Sequence, residues 1–176
     1  MPDFDFLLSL TLAPGTPVSF NARDGVVGVA AQVAAGAVAN GVCRWHTPLM
    51  EAAKARDHVA VAVLLAAGAD VHATAHFGQT ALMKAADGGD KACVAALLAA
   101  GARVNDWDDS ARTALMSAAD RGHSGVLSLL LSAGAMVSMF DLFGRDALYL
   151  AKRSGSHACV DMLMGAGADP DACFDL

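Results

Sequence analysis

An all-α solenoid of about five stacked helix–turn–helix units, linked by short β-hairpin or loop fingers, is the fold predicted for this chain of 176 residues. Two phrases carry the prediction, and both recur every 33 residues. Thr47-Pro48-Leu49-Met50 returns as Thr80-Ala81-Leu82-Met83, Thr113-Ala114-Leu115-Met116 and Asp146-Ala147-Leu148-Tyr149. Gly68-Ala69 returns as Gly101-Ala102, Gly134-Ala135 and Gly167-Ala168. Two phrases held in fixed phase mark a repeat architecture in which each unit buries its apolar face against the next.

The unit from Thr80 to Asn105 shows why each element forms. Thr80 precedes Ala81 to Ala86, a strongly helix-forming run, so its hydroxyl caps the first amides. Leu82, Met83, Ala85 and Ala86 give this short helix an apolar face. Gly88-Gly89 stops it, because glycine takes the left-handed backbone of a helix end without penalty. A second helix over Asp90 to Ala100 buries Val94, Leu97 and Leu98, with Cys93 alongside, and ends at Gly101. Ala102 to Asn105 then extends away, and Asp106 to Arg112 forms an exposed finger.

This pattern resembles the ankyrin repeat. The resemblance rests on Thr47-Pro48-Leu49, Ala52-Ala53, Leu64-Leu65 and Gly68-Ala69-Asp70-Val71, together with Gly122-His123, Leu129-Leu130-Leu131 and Gly134-Ala135. It extends over residues 16–169, with repeats at 47–79, 80–112, 113–145 and 146–169 and a degenerate unit at 16–46 marked by Thr16-Pro17-Val18 and Gly25. Residues 1–15 form an apolar segment or cap, and 170–176 a tail. Met50, Met83, Met116 and Tyr149 replace the family's histidine, so apolar packing is expected where the family uses a Thr–His hydrogen bond. Arg56 stands where the turn wants glycine, at a cost of about 1 kcal/mol. The resemblance implies that His123 bonds locally at its turn.

Composition removes several function classes. The net charge is −6 and no basic stripe exists, so nucleic-acid binding has no electrostatic basis. The uncharged stretch from Gly25 to Val42 is too rich in Ala and Gly, and too interrupted, for a spanning helix. Acidic residues at the N-terminus argue against a secretory signal. Cys93 and Cys159 occupy one repeat position two units apart, roughly 20 Å at helix-packing distances, far beyond the ~7 Å a disulfide spans. A reducing intracellular setting is expected, cytoplasmic or organellar after removal of a transit peptide. No hydrolase, nucleotide-loop or zinc-protease motif occurs, and His72 and His76 lie on a finger rather than one helix face, so neither catalysis nor a cofactor or metal is expected. Asp108-Asp109 reads as a solvated finger turn.

The candidate contact residues lie on two surfaces. Finger tips carry Trp45, His76, Trp107, Met139, Phe140 and Leu142, large groups of the kind that anchor interfaces. Phe77 and Phe143, three residues before the repeat phrase, are expected to pack rather than protrude. On the first helices, Glu51, Lys84, Ser117 and Leu150 are expected to face a concave groove, followed by Lys54, Asp87, Asp120 and Arg153. The outer positions of the second helices are nearly all Ala, Gly or Ser, with Asp161 the sole charge among them. The expectation is a non-enzymatic protein-interaction module, an accessory or structural subunit of a larger protein assembly. The alternatives are a soluble adapter using the groove, or a regulatory inhibitor or chaperone of an enzyme. A partner within a membrane complex is compatible with the absence of a transmembrane segment.

Overall fold

Every described unit starts with the same kind of cap. In the computed structural model, which describes residues 46–171, the Oγ1 atoms of Thr47, Thr80 and Thr113 accept from the backbone N–H of Met50, Met83 and Met116, each at 3.3 Å. Asp146 does the same for Tyr149 at 2.7 Å. A cap of this kind stabilises its helix by about 1 kcal/mol. The inner helices that follow are α1 (Pro48–Lys54), α3 (Ala81–Gly88), α5 (Ala114–Asp120) and α7 (Ala147–Ser154). The outer helices are α2 (His58–Ala66), α4 (Lys91–Ala99), α6 (Ser124–Ser132) and α8 (His157–Gly165).

The Gly-Ala phrase ends each outer helix. Gly68, Gly101, Gly134 and Gly167 take φ of 80°, 89°, 86° and 88°. The next alanine then turns its N–H back on the carbonyl five residues earlier, as Ala69 does to Leu64 at 2.9 Å and Ala102 to Leu97 at 3.0 Å. This is the Schellman arrangement, and it satisfies carbonyls that the helix end leaves open.

Packing forms two layers. Inner helices stack in the order α1, α3, α5, α7, each outer helix leans on its own inner partner, and the outer row follows the same order more loosely. Alanines at 52, 53, 85, 86, 118, 119 and 151 are fully buried in the inner layer, and their small size lets the helices approach. Met50, Met83 and Met116 are buried at 1%, 5% and 1% exposure, so the histidine positions of the resemblance are core here. Tyr149 differs and is 39% exposed.

Leu150 requires a correction. It is fully buried in the core rather than presented to the groove, because an apolar side chain at that inner-helix position is drawn under the stack where Glu51, Lys84 and Ser117 stay at its edge. Arg56 does adopt the left-handed conformation of its glycine counterparts, at φ 61°. Cys93 and Cys159 are buried free thiols, and burial, aided by the Asp90 carboxylate, pushes the Cys93 thiol up to about 12. Among the described residues no helix is long and apolar enough to cross a membrane. The predicted N-terminal segment, the degenerate unit before residue 46, Trp45, Cys43 and Cys173 lie outside the described residues.

Candidate functional site

The fingers are tight turns closed by their own backbone. Asp108 N–H donates to Arg112 O at 3.0 Å, Asp141 N–H to Arg145 O at 2.9 Å, and Ala75 N–H to Gln79 O at 2.9 Å. Neighbouring fingers are also tied to one another: Asp109 N–H reaches Phe77 O at 2.9 Å, and Leu142 N–H reaches Ser110 O at 3.0 Å. These cross-links hold the tips in a row.

Two buried carboxylates stiffen the row further, so Asp108 is not the solvated turn residue expected from its position. Its Oδ1 accepts from the N–H groups of Ser110 and Arg112, both at 2.9 Å. Asp141 repeats the arrangement with Phe143 at 2.9 Å and Arg145 at 3.0 Å. Its Oδ2 also takes the Arg145 guanidinium, at 2.8 Å from Nε and 2.7 Å from the second nitrogen. Burial opposes the charged form of Asp141, but the bonds from the Arg145 side chain and from the Arg145 and Phe143 backbone outweigh it and hold its carboxyl below the usual range. The Arg145 guanidinium in turn lies 4.6 Å from the Phe143 ring centre, a cation–π contact.

With the backbone and the carboxylates turned inward, the large apolar groups turn out. Trp107, Leu142, Phe143 and Phe77 are 63–69% exposed. Phe77 and Phe143 therefore protrude, contrary to the expectation that they pack. The inward side of each tip is already filled, by Asp141 in one finger and by the backbone closure in the other. His76 is exposed and sits edge-on against Phe77, with ring centres 4.0 Å apart. Met139 and Phe140 are half-buried, Met139 against the core. Met136, on the turn after α6, is also exposed, at 58%. The recurring Asp-x-x-x-Arg of 108–112 and 141–145 was the available signal that these carboxylates fold back.

The groove beside the fingers carries a chain of charges between repeats. Arg121 Nε donates to Asp87 at 2.8 Å, and Asp120 takes Arg112 at 3.0 Å and also Arg153. Burial works against the Asp120 carboxylate, yet hydrogen bonds from Arg153 and Arg112 hold it low. Glu51 is paired with His46 at 2.8 Å. Lys84 bonds the neutral Gln79 amide, and burial, with Lys54 nearby, lowers its pKa. His123 does not bond locally: its Nε2 lies 3.2 Å from the Asp87 carbonyl of the preceding unit. Among the described residues no group of three or more His, Cys, Asp or Glu side chains converges for a metal ion.

The outer helices expose mostly small residues, with Lys91 and Asp161 as their exposed charges and His58 and His157 exposed at two helix starts. Positions 62, 66, 92, 95, 99, 128, 132, 158 and 165 are exposed and hold only Ala, Ser or Gly. Val59, Met162 and Met164 are also exposed on the outer helices.

Stacked helical pairs, capping threonines, glycine closures and hairpin fingers define the class of helical repeat scaffolds. A family model described as ankyrin repeats (3 copies) matches residues 49–141 and again 106–173. The chain belongs to the ankyrin-repeat family, whose members are generally modules for protein–protein interaction. No curated protein matches it.

Proposed function

We propose that this chain is a non-catalytic subunit held stably within a larger protein assembly, with the finger tips as its main contact. One observation carries the reading: a row of large apolar side chains, Phe77, Trp107, Leu142 and Phe143, is exposed on turns whose backbones are cross-linked. Preorganised aromatic anchors lose little entropy on docking, and a few such residues dominate most interfaces. The near-chargeless outer wall and the exposed Met162 and Met164 support a stable association over a fleeting one.

The test is native purification of the tagged chain from its own cells, followed by sizing and mass spectrometry. A stoichiometric partner is expected, and Trp107→Ala with Leu142→Ala should weaken its retention by about 2 kcal/mol per anchor. The variant's circular dichroism should match the wild type. A monodisperse monomer at high concentration, with a partner lost on washing, points instead to a reversible adapter. Retention that ignores both substitutions removes the finger tips from the interface.

A further inference from the structure

A hollow of about 240 Å³ lies in the groove between α3 and α5, under the second finger. Met83, Lys84 and Asp87 come from α3, Ser117 from α5, Arg121 from its end, and Gln79, Asp108 and Arg112 from the fingers. It is well above the ~30 Å³ that one water occupies in the liquid, so a carboxyl group fits with water to spare.

The negative members of the lining are partly committed. Asp87 holds Arg121 at 2.8 Å. Asp108 is 9% exposed and spends Oδ1 on two backbone amides. The positive members are less well served. Lys84 has no carboxylate within 4 Å among the described residues and bonds only a neutral amide. Arg112 reaches Asp120 through one terminal nitrogen, while its buried Nε has no acceptor. Lys84 and the Nε of Arg112 thus lack an anionic acceptor, in a chain whose net charge is −6. Trp107, the residue before Asp108 on the same finger, borders a separate hollow with Thr74, Thr80 and Asp106, so the apolar row starts one residue away from the charged lining.

We infer that the hollow receives an Asp or Glu side chain of the partner protein, docked on Lys84 and Arg121, beside an apolar residue resting on Trp107. The inference rests on the protein-binding reading above and adds the chemistry of what is bound. A carboxylate supplies the ion-pair partner that Lys84 lacks, and complementary charge of this kind chiefly confers specificity. A long polyanion fits poorly, since the remainder of an acidic chain repels it.

Selection of displayed random dodecapeptides on the full chain tests this. Peptides recovered on the wild type should carry an acidic residue next to an aromatic or aliphatic one, and Lys84→Gln should weaken them by ~10-fold. Lys84→Glu, at a half-exposed site that tolerates exchange, should reverse the preference and recover Lys or Arg in its place. Peptides without acidic enrichment, or equal binding to the wild type and Lys84→Gln, overturn the site, as does failure to recover any peptide. Neutral peptides that still depend on Trp107 leave the finger-tip contact standing and remove only the carboxylate site. Acidic peptides indifferent to Trp107→Ala do the reverse.

Discussion

The first described finger, residues 75–79, and the third, residues 141–145, share one closure but reach it through different backbone conformations. In both, the N–H of the fourth residue bonds the carbonyl of the first, Gly78 to Ala75 and Gly144 to Asp141, each at 3.0 Å. The third finger adds a buried carboxylate that binds two amides and a guanidinium. The first has Ala75 in that place, and holds Phe77 at φ 65° beside Gly78 at φ 69°. A non-glycine residue in that region costs roughly 1–2 kcal/mol. One closure is therefore secured by side-chain bonds in one repeat and reached through a strained backbone in another. The repeat specifies the closure, and each unit finds its own way to it.

Removing the carboxylate should break the comparison most severely. Asp141→Ala leaves two amides and Arg145 without their acceptor and should lower stability by about 2–3 kcal/mol, measured by urea unfolding. An effect near zero would mean that backbone closure alone suffices, as in the first finger. Acid should act in the same direction but less. The Asp141 and Asp120 carboxyls are held below their ordinary values, so their stabilisation is complete above the unfolded value near 3.9. It fades as pH falls from there through the depressed folded values. Asp141→Asn should flatten the acid limb of a stability–pH curve, and an unchanged limb would remove Asp141 as its source. The smallest effect is a repair. Phe77→Asn at the strained position should raise stability by about 0.5–1 kcal/mol, seen as a higher melting temperature. A lowered one would show that Phe77 is not strained.

Most of the scaffold was legible because its causes are local. A threonine before Ala-Leu-Met is a cap whatever surrounds it, and a glycine after an apolar helix closes it in the same way in each unit. The finger tips were legible in part. Trp107 and Leu142 stood out by size, but Phe77 and Phe143 were assigned inward, because which side of a turn a residue faces depends on what already fills the inside. Asp141 fills it in one case, and only the recurrence of Asp-x-x-x-Arg at 108–112 and 141–145 points to that burial. Leu150 failed for the opposite reason: its repeat position predicted the groove edge, while its own hydrophobicity took it into the core. Charge partners such as Arg121 with Asp87 and Arg153 with Asp120 join residues 34 and 33 apart, so they emerge only from stacking.

The contact between His123 and Gly89 bears on how such an array can be built or rearranged. A Cβ at Gly89 would fall 2.6 Å from the His123 ring, so the imidazole occupies the space that a glycine leaves open in the unit beneath. The equivalent residue one unit earlier is Arg56, and the unit above it offers Asp90 where His123 stands. Units 47–79 and 80–112 are thus not interchangeable beneath 113–145, however alike their sequences. A gene rearrangement that duplicated the first in place of the second would set an arginine side chain against the imidazole. The array grows only in an order where each unit leaves room for the one above it.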